Sequence, residues 1–256
     1  MDAKPLSIPM DPNISFSKNQ CPTTPDDIAS MRCVPYREVI GLLMYASVGT
    51  HPDISFAIST LSQFLDNLGH THWEAVKCVF QYLLGMKDLQ LTFGGGKDGL
   101  EGYTDADGAS QEHRCAISGY AFIIDRGAVS WSSRKQELGT LSTAEAEYVA
   151  ATHATKEAIW LHNFIGEVFT PLTEPTTLHC DNQSAIAIAT NGNYHAHTRH
   201  IDIRYHFIHF VIDNGSLKLV YCPTDDMTAD TLMKALPSLK AKHFAAALGL
   251  CALTSN

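Results

Sequence analysis

Basic charge is scarce in this chain. Its 256 residues include 18 Lys and Arg against 27 Asp and Glu, a formal net charge of −9. Proteins that hold nucleic acid by phosphate contacts alone are usually basic. That simple mode is excluded unless carboxylates converge on divalent ions, which reverse the local sign. Long apolar runs are also lacking. The longest, such as FAAALGLCAL (244–253), are too short for a bilayer, so no membrane partner is expected. The opening MDAKPLSIPMDPN has no basic stretch followed by an apolar core, so no secretion signal is read and an intracellular location is expected. The seven cysteines (21, 33, 78, 115, 180, 222 and 251) are scattered without a CxxC. That pattern fits reduced thiols better than a disulfide framework.

What is present is an ordinary globular composition, 45% hydrophobic and 18% charged, enough for one large domain or two modest ones. Residues 1–35 read as a mostly irregular lead-in rich in Pro, Asp, Ser and Thr. YREVIGLLMYASVG (36–49), SFAISTLSQFL (55–65) and HTHWEAVKCVFQYLLGM (70–86) have helical spacing. In the last, Trp73, Val76, Phe80, Leu83 and Leu84 form the expected apolar stripe. FGGGKDG (93–99) breaks the pattern, giving a helical segment over 36–98 and a second domain over 99–250.

The second domain opens with strands in LEGYTDA, SGYAFIID and GAVSWSS, the last two joined by a DRG turn. A long helix covers 141–169, with Ser142 as N-cap and Glu145 completing a capping box. A strand TTLHC, helices over 183–191 and 199–215, a strand SLKLVYC and a last helix capped by Thr224 follow. Three antiparallel strands and then strand–helix alternation predict an α/β mixed sheet with helices on both faces.

Four acids sit on four separate elements: Asp105 at the end of the first strand, Glu147 in the second turn of the long helix, Asp181 after TTLHC, and Asp230 in the last helix. Any one alone reads as a solvated surface charge. Functional groups gather where strands end and helices begin, and there the four could meet. Clustered carboxylates raise one another's pKa unless a cation compensates. Two Mg2+ ions would do so, with Mn2+ an expected substitute, because oxygen-only ligands suit these ions. Such a pair can activate a water and stabilise a leaving oxygen in phosphodiester hydrolysis.

YTDAD, SGYAFIIDRGAVSWSSRKQ, STAEAEYVAATHATKEAIWL, CDNQSAIAIA, HTRHIDIRYHFI and YCPTDDMTAD, in this order and spacing, resemble the ribonuclease H domain of copia-type retrotransposon polyproteins. The segment 36–86 resembles the link between polymerase and ribonuclease H in those elements. The resemblance implies a ribonuclease H-like fold and hydrolysis of the RNA strand of RNA–DNA hybrids. It also implies an upstream polymerase domain of the same polyprotein as partner, and a cytoplasmic or virus-like-particle location. The family's acidic quartet falls on Asp105, Glu147, Asp181 and Asp230. By this resemblance Asp105 bridges both ions, Asp181 with Asp230 holds the ion that activates water, and Glu147 holds the other near the 2′-hydroxyl that marks RNA. The polymerase's Tyr-x-Asp-Asp is absent, so no polymerisation is expected of these residues. The chain departs from the family at Gly108, where an aromatic is usual, and at His197, often Arg. The His that precedes the last Asp in cellular ribonucleases H is also missing.

Other residues admit two readings each. Arg134 and Lys135 are either a solvated hairpin end or phosphate contacts. Asn182 and Ser184 either cap a helix or bind the substrate backbone. Trp131 and Trp160 read as core, and Cys180 as a buried, inert thiol. His195, His197, His200, His206 and His209 lack the spacing of a zinc finger and read as surface or interface groups. Asp107 reads as a turn residue or a supporting partner of Asp105. Two rival classes stand beside the nuclease. One is an integrase or transposase, whose last acid is usually Glu. The other is a catalytically inactive, retrotransposon-derived structural or interaction module.

Overall fold

The computed structural model describes residues 4–96, 99–107, 115–137, 139, 142–169, 172–190 and 202–252, with backbone only for 202–206. Gly108, His195, His197, His200 and the His206 side chain lie outside the described residues. The elements in order are α1 (Pro25–Met31), α2 (Tyr36–Gly49), α3 (Ser55–Ser62), α4 (His70–Gly85), β1 (Leu89–Leu91), β2 (Glu101–Asp107), β3 (Ile117–Ile124) and β4 (Gly127–Lys135). Then come α5 (Thr143–Val168), β5 (Thr176–Cys180), α6 (Gln183–Thr190), α7 (Asp202–Asp213), β6 (Leu217–Tyr221), α8 (Ser238–Ala247) and β7 (Leu250–Ala252). They group into two compact units, one holding residues up to Thr92 together with Lys234 onward, the other Phe93–Met233.

In the first unit the lead-in carries one short α-helix, α1. Thr24 accepts a hydrogen bond from the Asp27 amide, and Pro25 occupies the first turn of α1, a sound helix start. Tyr36, Ile40 and Leu43 of α2, Ile54, Leu61 of α3, and Val76, Val79 and Tyr82 of α4 are buried. The apolar stripe read for α4 is turned. His72, Val76, Val79 and Tyr82 face inward, and Phe80 and Leu84 are exposed. Two polar residues can take inward places because each finds a partner. Tyr82 donates its hydroxyl to Asp53 Oδ2 at 2.6 Å, and His72 Nδ1 accepts from the Gly69 amide at 2.9 Å. The returning segment adds β7, which pairs antiparallel with β1 from Leu89↔Ala252 to Leu91↔Leu250.

The second unit is built on a five-stranded sheet in the order β4-β3-β2-β5-β6. β2, β3 and β4 are antiparallel neighbours, and β5 and β6 run parallel to β2. The β3–β4 turn is the expected tight hairpin, with Asp125 and Arg126 both at positive φ (50° and 69°), as a two-residue turn demands. One sheet face carries the core. Leu100, Phe122, Leu178 and Leu217 pack there against Ala154, Ala158 and Leu161 of α5 and Val211 of α7. Tyr148, Ala151, Ala189 and Ile208 extend it under α6. The other face receives short 3-10 turns over Thr224–Asp226 and Thr228–Leu232. Helices thus flank both faces of an α/β mixed sheet, unequally.

Two readings need correction. Residues 224–232 form 3-10 turns and not the start of an α-helix, and Pro223 occupies the cap position, so Thr224 caps nothing. Trp160 is not core. It is 57% exposed and stacks on Phe164 with ring centroids 5.2 Å apart.

Candidate active site

Small side chains bring α5 close to the end of β2. Ala106 and Ala116 pack against Ala146 and Ala150, forming a cluster with no large residue in it. Ser142 starts the helix by accepting from the Glu145 amide at 3.2 Å, which fixes Glu147 in the second turn. Gln136, buried after β4, ties the corner together. Its Nε2 donates to Ser118 Oγ at 2.8 Å and to the Ala146 carbonyl at 2.9 Å.

Asp105 is 2% exposed and Glu147 is 6% exposed. Both accept from one donor, the Ala106 amide, at 2.8 Å (Asp105 Oδ1) and 3.1 Å (Glu147 Oε2). Asp181 follows β5 directly and is half-buried. One oxygen each of Asp105, Glu147 and Asp181 lies within 4.8 Å of the other two. Asp230 is 1% exposed and lies close enough to interact with the Asp105 carboxyl. The structure therefore brings all four sequence-predicted acids to one place.

Burial, then the charges of Glu147 and Asp181 and the carboxyls of Asp230 and Glu147 at hydrogen-bonding range, push the Asp105 pKa up to about 11. An acid so placed keeps its proton at neutral pH unless a cation takes that proton's role. The site fits a cation on a further ground: Asp105 Oδ2 is fully buried and receives no N–H or hydroxyl hydrogen bond among the described residues. Three carboxylate oxygens at this spacing are a hard, all-oxygen donor set, suited to Mg2+ or Mn2+.

Three supporting residues carried little sequence signal. Gly119 lies opposite Asp105 in the β2–β3 ladder. A Cβ there would stand 2.8 Å from Leu232 Cβ and 3.0 Å from the Ala229 carbonyl, so its bareness seats the turn that carries Asp230. Gln136 closes the run SSRKQ, and its partners Ser118 and Ala146 lie on other elements, out of reach of local pattern. Thr224 donates to Asp181 Oδ2 at 2.9 Å, a bond across 43 residues that local pattern cannot show.

The remaining predicted residues are placed as follows. Arg134 and Lys135 stand opposite Ser118 and Ile117, which in turn face Ala106 and Asp107. The cations thus sit two strands from β2, about 10 Å across the sheet, at the level of the acids. Arg134 is exposed and paired with Glu137. Asn182 Oδ1 accepts from the Ser184 and Ala185 amides at 3.0 and 3.1 Å, a cap for α6, and Ser184 is exposed. Cys180 is buried, and desolvation pushes its thiol up to about 12, which leaves it inert. His209 reaches the Ile188 carbonyl at 3.1 Å. All seven cysteines are free thiols.

Three antiparallel strands continued by two parallel ones, with acids at the end of β2, early in α5, after β5 and in the last turn, define a ribonuclease H-like domain. No family model matches the chain. It is 45% identical over 240 residues to a retrovirus-related Pol polyprotein from transposon TNT 1-94 of Nicotiana tabacum, covering 93% of this chain and 18% of that protein. It is 33% identical over 252 residues to the Pol polyprotein from transposon RE1 of Arabidopsis thaliana, covering 97% of this chain and 17% of that one. These relatives are copia-type retrotransposon Pol polyproteins that match most of this chain, and the chain spans less than a fifth of their length.

A part of the chain is also 44% identical over 133 residues to the secreted RxLR effector protein 161 of Plasmopara viticola, covering 51% of this chain and 94% of that protein. Among solved structures, LC11-RNase H1 in complex with an RNA/DNA hybrid aligns at 18% identity over 52% of this chain and 93% of its own, with a TM-score of 0.40. The foamy viral protease-reverse transcriptase with an RNA/DNA hybrid aligns at 12% identity over 78% of this chain and 27% of its own, with a TM-score of 0.48. Among the described residues no helix is long and apolar enough to cross a membrane.

Proposed function

We propose that this chain is a metal-dependent endonuclease that hydrolyses the RNA strand of RNA–DNA hybrids, as the ribonuclease H part of a retrotransposon reverse transcriptase. The observation that carries this reading is the meeting of Asp105, Glu147 and Asp181 within 4.8 Å, with Asp230 beside Asp105. Residues 36–98 act as the connection from an upstream polymerase of the same polyprotein, and the nuclease chemistry belongs to 99–250. An intracellular place of action goes with that role.

Asp105, Glu147, Asp181 and Asp230 would hold two Mg2+ ions, or Mn2+ in their place. The ions, when bound, supply an activated water and charge stabilisation at the departing oxygen. The residues do the rest. Asp105, whose buried second oxygen takes no N–H or hydroxyl hydrogen bond among the described residues, would offer that oxygen to the ions beside the other three acids. The Ala106 amide fixes Asp105 against Glu147, and so held Glu147 would face the ribose of the scissile nucleotide. Arg134, Lys135, Asn182 and Ser184 hold backbone phosphates and sugars on either side, contacts that position without reading sequence.

The test is cleavage of a labelled hybrid in Mg2+ and in Mn2+, with double-stranded DNA and single-stranded RNA as controls. Cleavage confined to the hybrid's RNA strand, lost in Asp181→Asn, is the expected result. An Asp181→Asn variant as fast as the parent sinks the reading. The second reading, an inactive interaction module, draws on the net charge of −9 and on the pairing of Arg134 with Glu137. It predicts no cleavage together with no Mg2+ uptake in a calorimetric titration.

A further inference from the structure

We infer that Thr224 is a positioning residue, orienting the Asp181 carboxylate toward the cation it shares with Asp105 and Glu147. This rests on the metal-site reading above. Of those three acids, Asp181 is the least confined. It is half-buried just past the end of β5, whereas Asp105 and Glu147 are buried. A carboxylate rotates readily about its last torsion, so its donor lone pairs need an outside constraint.

Thr224 supplies one. Its Oγ1 donates to Asp181 Oδ2 at 2.9 Å, which leaves Oδ1 and the second lone pair of Oδ2 for a ligand. The donor itself is held firmly. The Cys222 amide bonds to the Cys180 carbonyl at 3.0 Å, extending the β5–β6 ladder to the start of this segment. Pro223 follows with its φ locked. The turn is closed by Asp226 N to Pro223 O at 2.9 Å and Met227 N to Thr224 O at 3.3 Å. Threonine's branched Cβ limits the rotamers its hydroxyl can take. Its hydroxyl is spent on no helix cap. Six residues on, the same segment delivers Asp230, so one rigid stretch both carries the fourth acid and aims the third.

Hydrogen-bond partners of metal-ligating groups typically change metal affinity by 10- to 100-fold when removed. Thr224 is exposed, so the lower end applies. The experiment measures Mn2+ binding to the full chain, by the free-Mn2+ resonance signal and by calorimetry. It compares the parent with Thr224→Val, Thr224→Ser and Asp181→Asn, alongside melting temperatures in EDTA. Thr224→Val should bind Mn2+ about tenfold more weakly at an unchanged melting temperature, and Thr224→Ser should restore parental affinity. A Val variant that binds like the parent, or more tightly, overturns the assignment of Thr224 while leaving the metal site standing. So does a Ser variant as weak as Val. A parent that takes up no Mn2+, or an Asp181→Asn variant that binds equally well, overturns the site reading and this inference with it.

Discussion

Gly119 stands directly across the β2–β3 ladder from Asp105, and the space its missing side chain leaves is filled by Leu232. The backbone at Gly119 has no positive φ to protect, so the demand is steric. Gly119→Ala should push the 228–232 turn outward and move Asp230 from Asp105. Overpacking of this kind costs about 1–3 kcal/mol. Hybrid cleavage should fall at least tenfold, and Mn2+ affinity should fall with it. A variant with parental cleavage rate and metal affinity would show that the turn does not rest on this position.

Asp105→Asn should separate activity from stability. In the metal-free protein burial and the neighbouring Glu147, Asp181 and Asp230 make Asp105 hold a proton at neutral pH that the unfolded chain releases, a cost in stability that the neutral Asn does not carry. The variant should melt higher than the parent in EDTA, cleave no hybrid, and lose the rise in melting temperature that Mg2+ gives the parent. Asp107→Asn should only weaken cleavage. Equal loss from both substitutions would show that the pair was assigned wrongly.

Arg134 pairs with Glu137 on the surface, where such pairs contribute little to stability. Its proposed role is phosphate contact, which substitution can test. Arg134→Ala should weaken hybrid binding uniformly across sequences and lower the salt slope by about one. Glu137→Ala should do the opposite, by freeing the guanidinium. Filter binding of an uncleaved hybrid in Ca2+ across a salt series reads both slopes.

His72 links pH to the first unit. It is fully buried against Phe64, with rings stacked at 3.8 Å, and burial lowers its pKa. The unfolded chain therefore takes up a proton near pH 6.5 that the folded chain refuses. Stability should hold above that pH and drop as pH falls below it. Hydrogen exchange of the α4 amides between pH 5 and 8 checks this, and His72→Gln should flatten the curve.

Local pattern carried the helices and strands that are long or strongly marked. α5 was legible from Ser142 and its spacing, and the β3–β4 hairpin from Asp-Arg-Gly. The four acids could be picked out because they sit on four separate elements whose ends could meet, but the choice of Asp105 over Asp107 came from family resemblance alone. Three things were not legible. The inward place of His72 and Tyr82 depends on partners at Gly69 and Asp53, which hydropathy does not weigh. Trp160 reads as core by size, yet its ring lies on Phe164 at the surface of α5. The β1–β7 pair joins two three-residue strands more than 150 residues apart, too short and too distant for periodicity to register.

That last pair has a bearing on how the protein is made. The first unit draws on two stretches of chain, and the whole of 93–233 lies between them. On the ribosome the second unit has all its residues before α8 and β7 exist. Domains ordinarily finish in amino-to-carboxyl order; here the order inverts, and the nuclease-like sheet can close while β1 still waits for its partner. A ribosome that stalled near Met233 would release a complete acidic cluster attached to an unfinished helical unit, with β1 left unpaired.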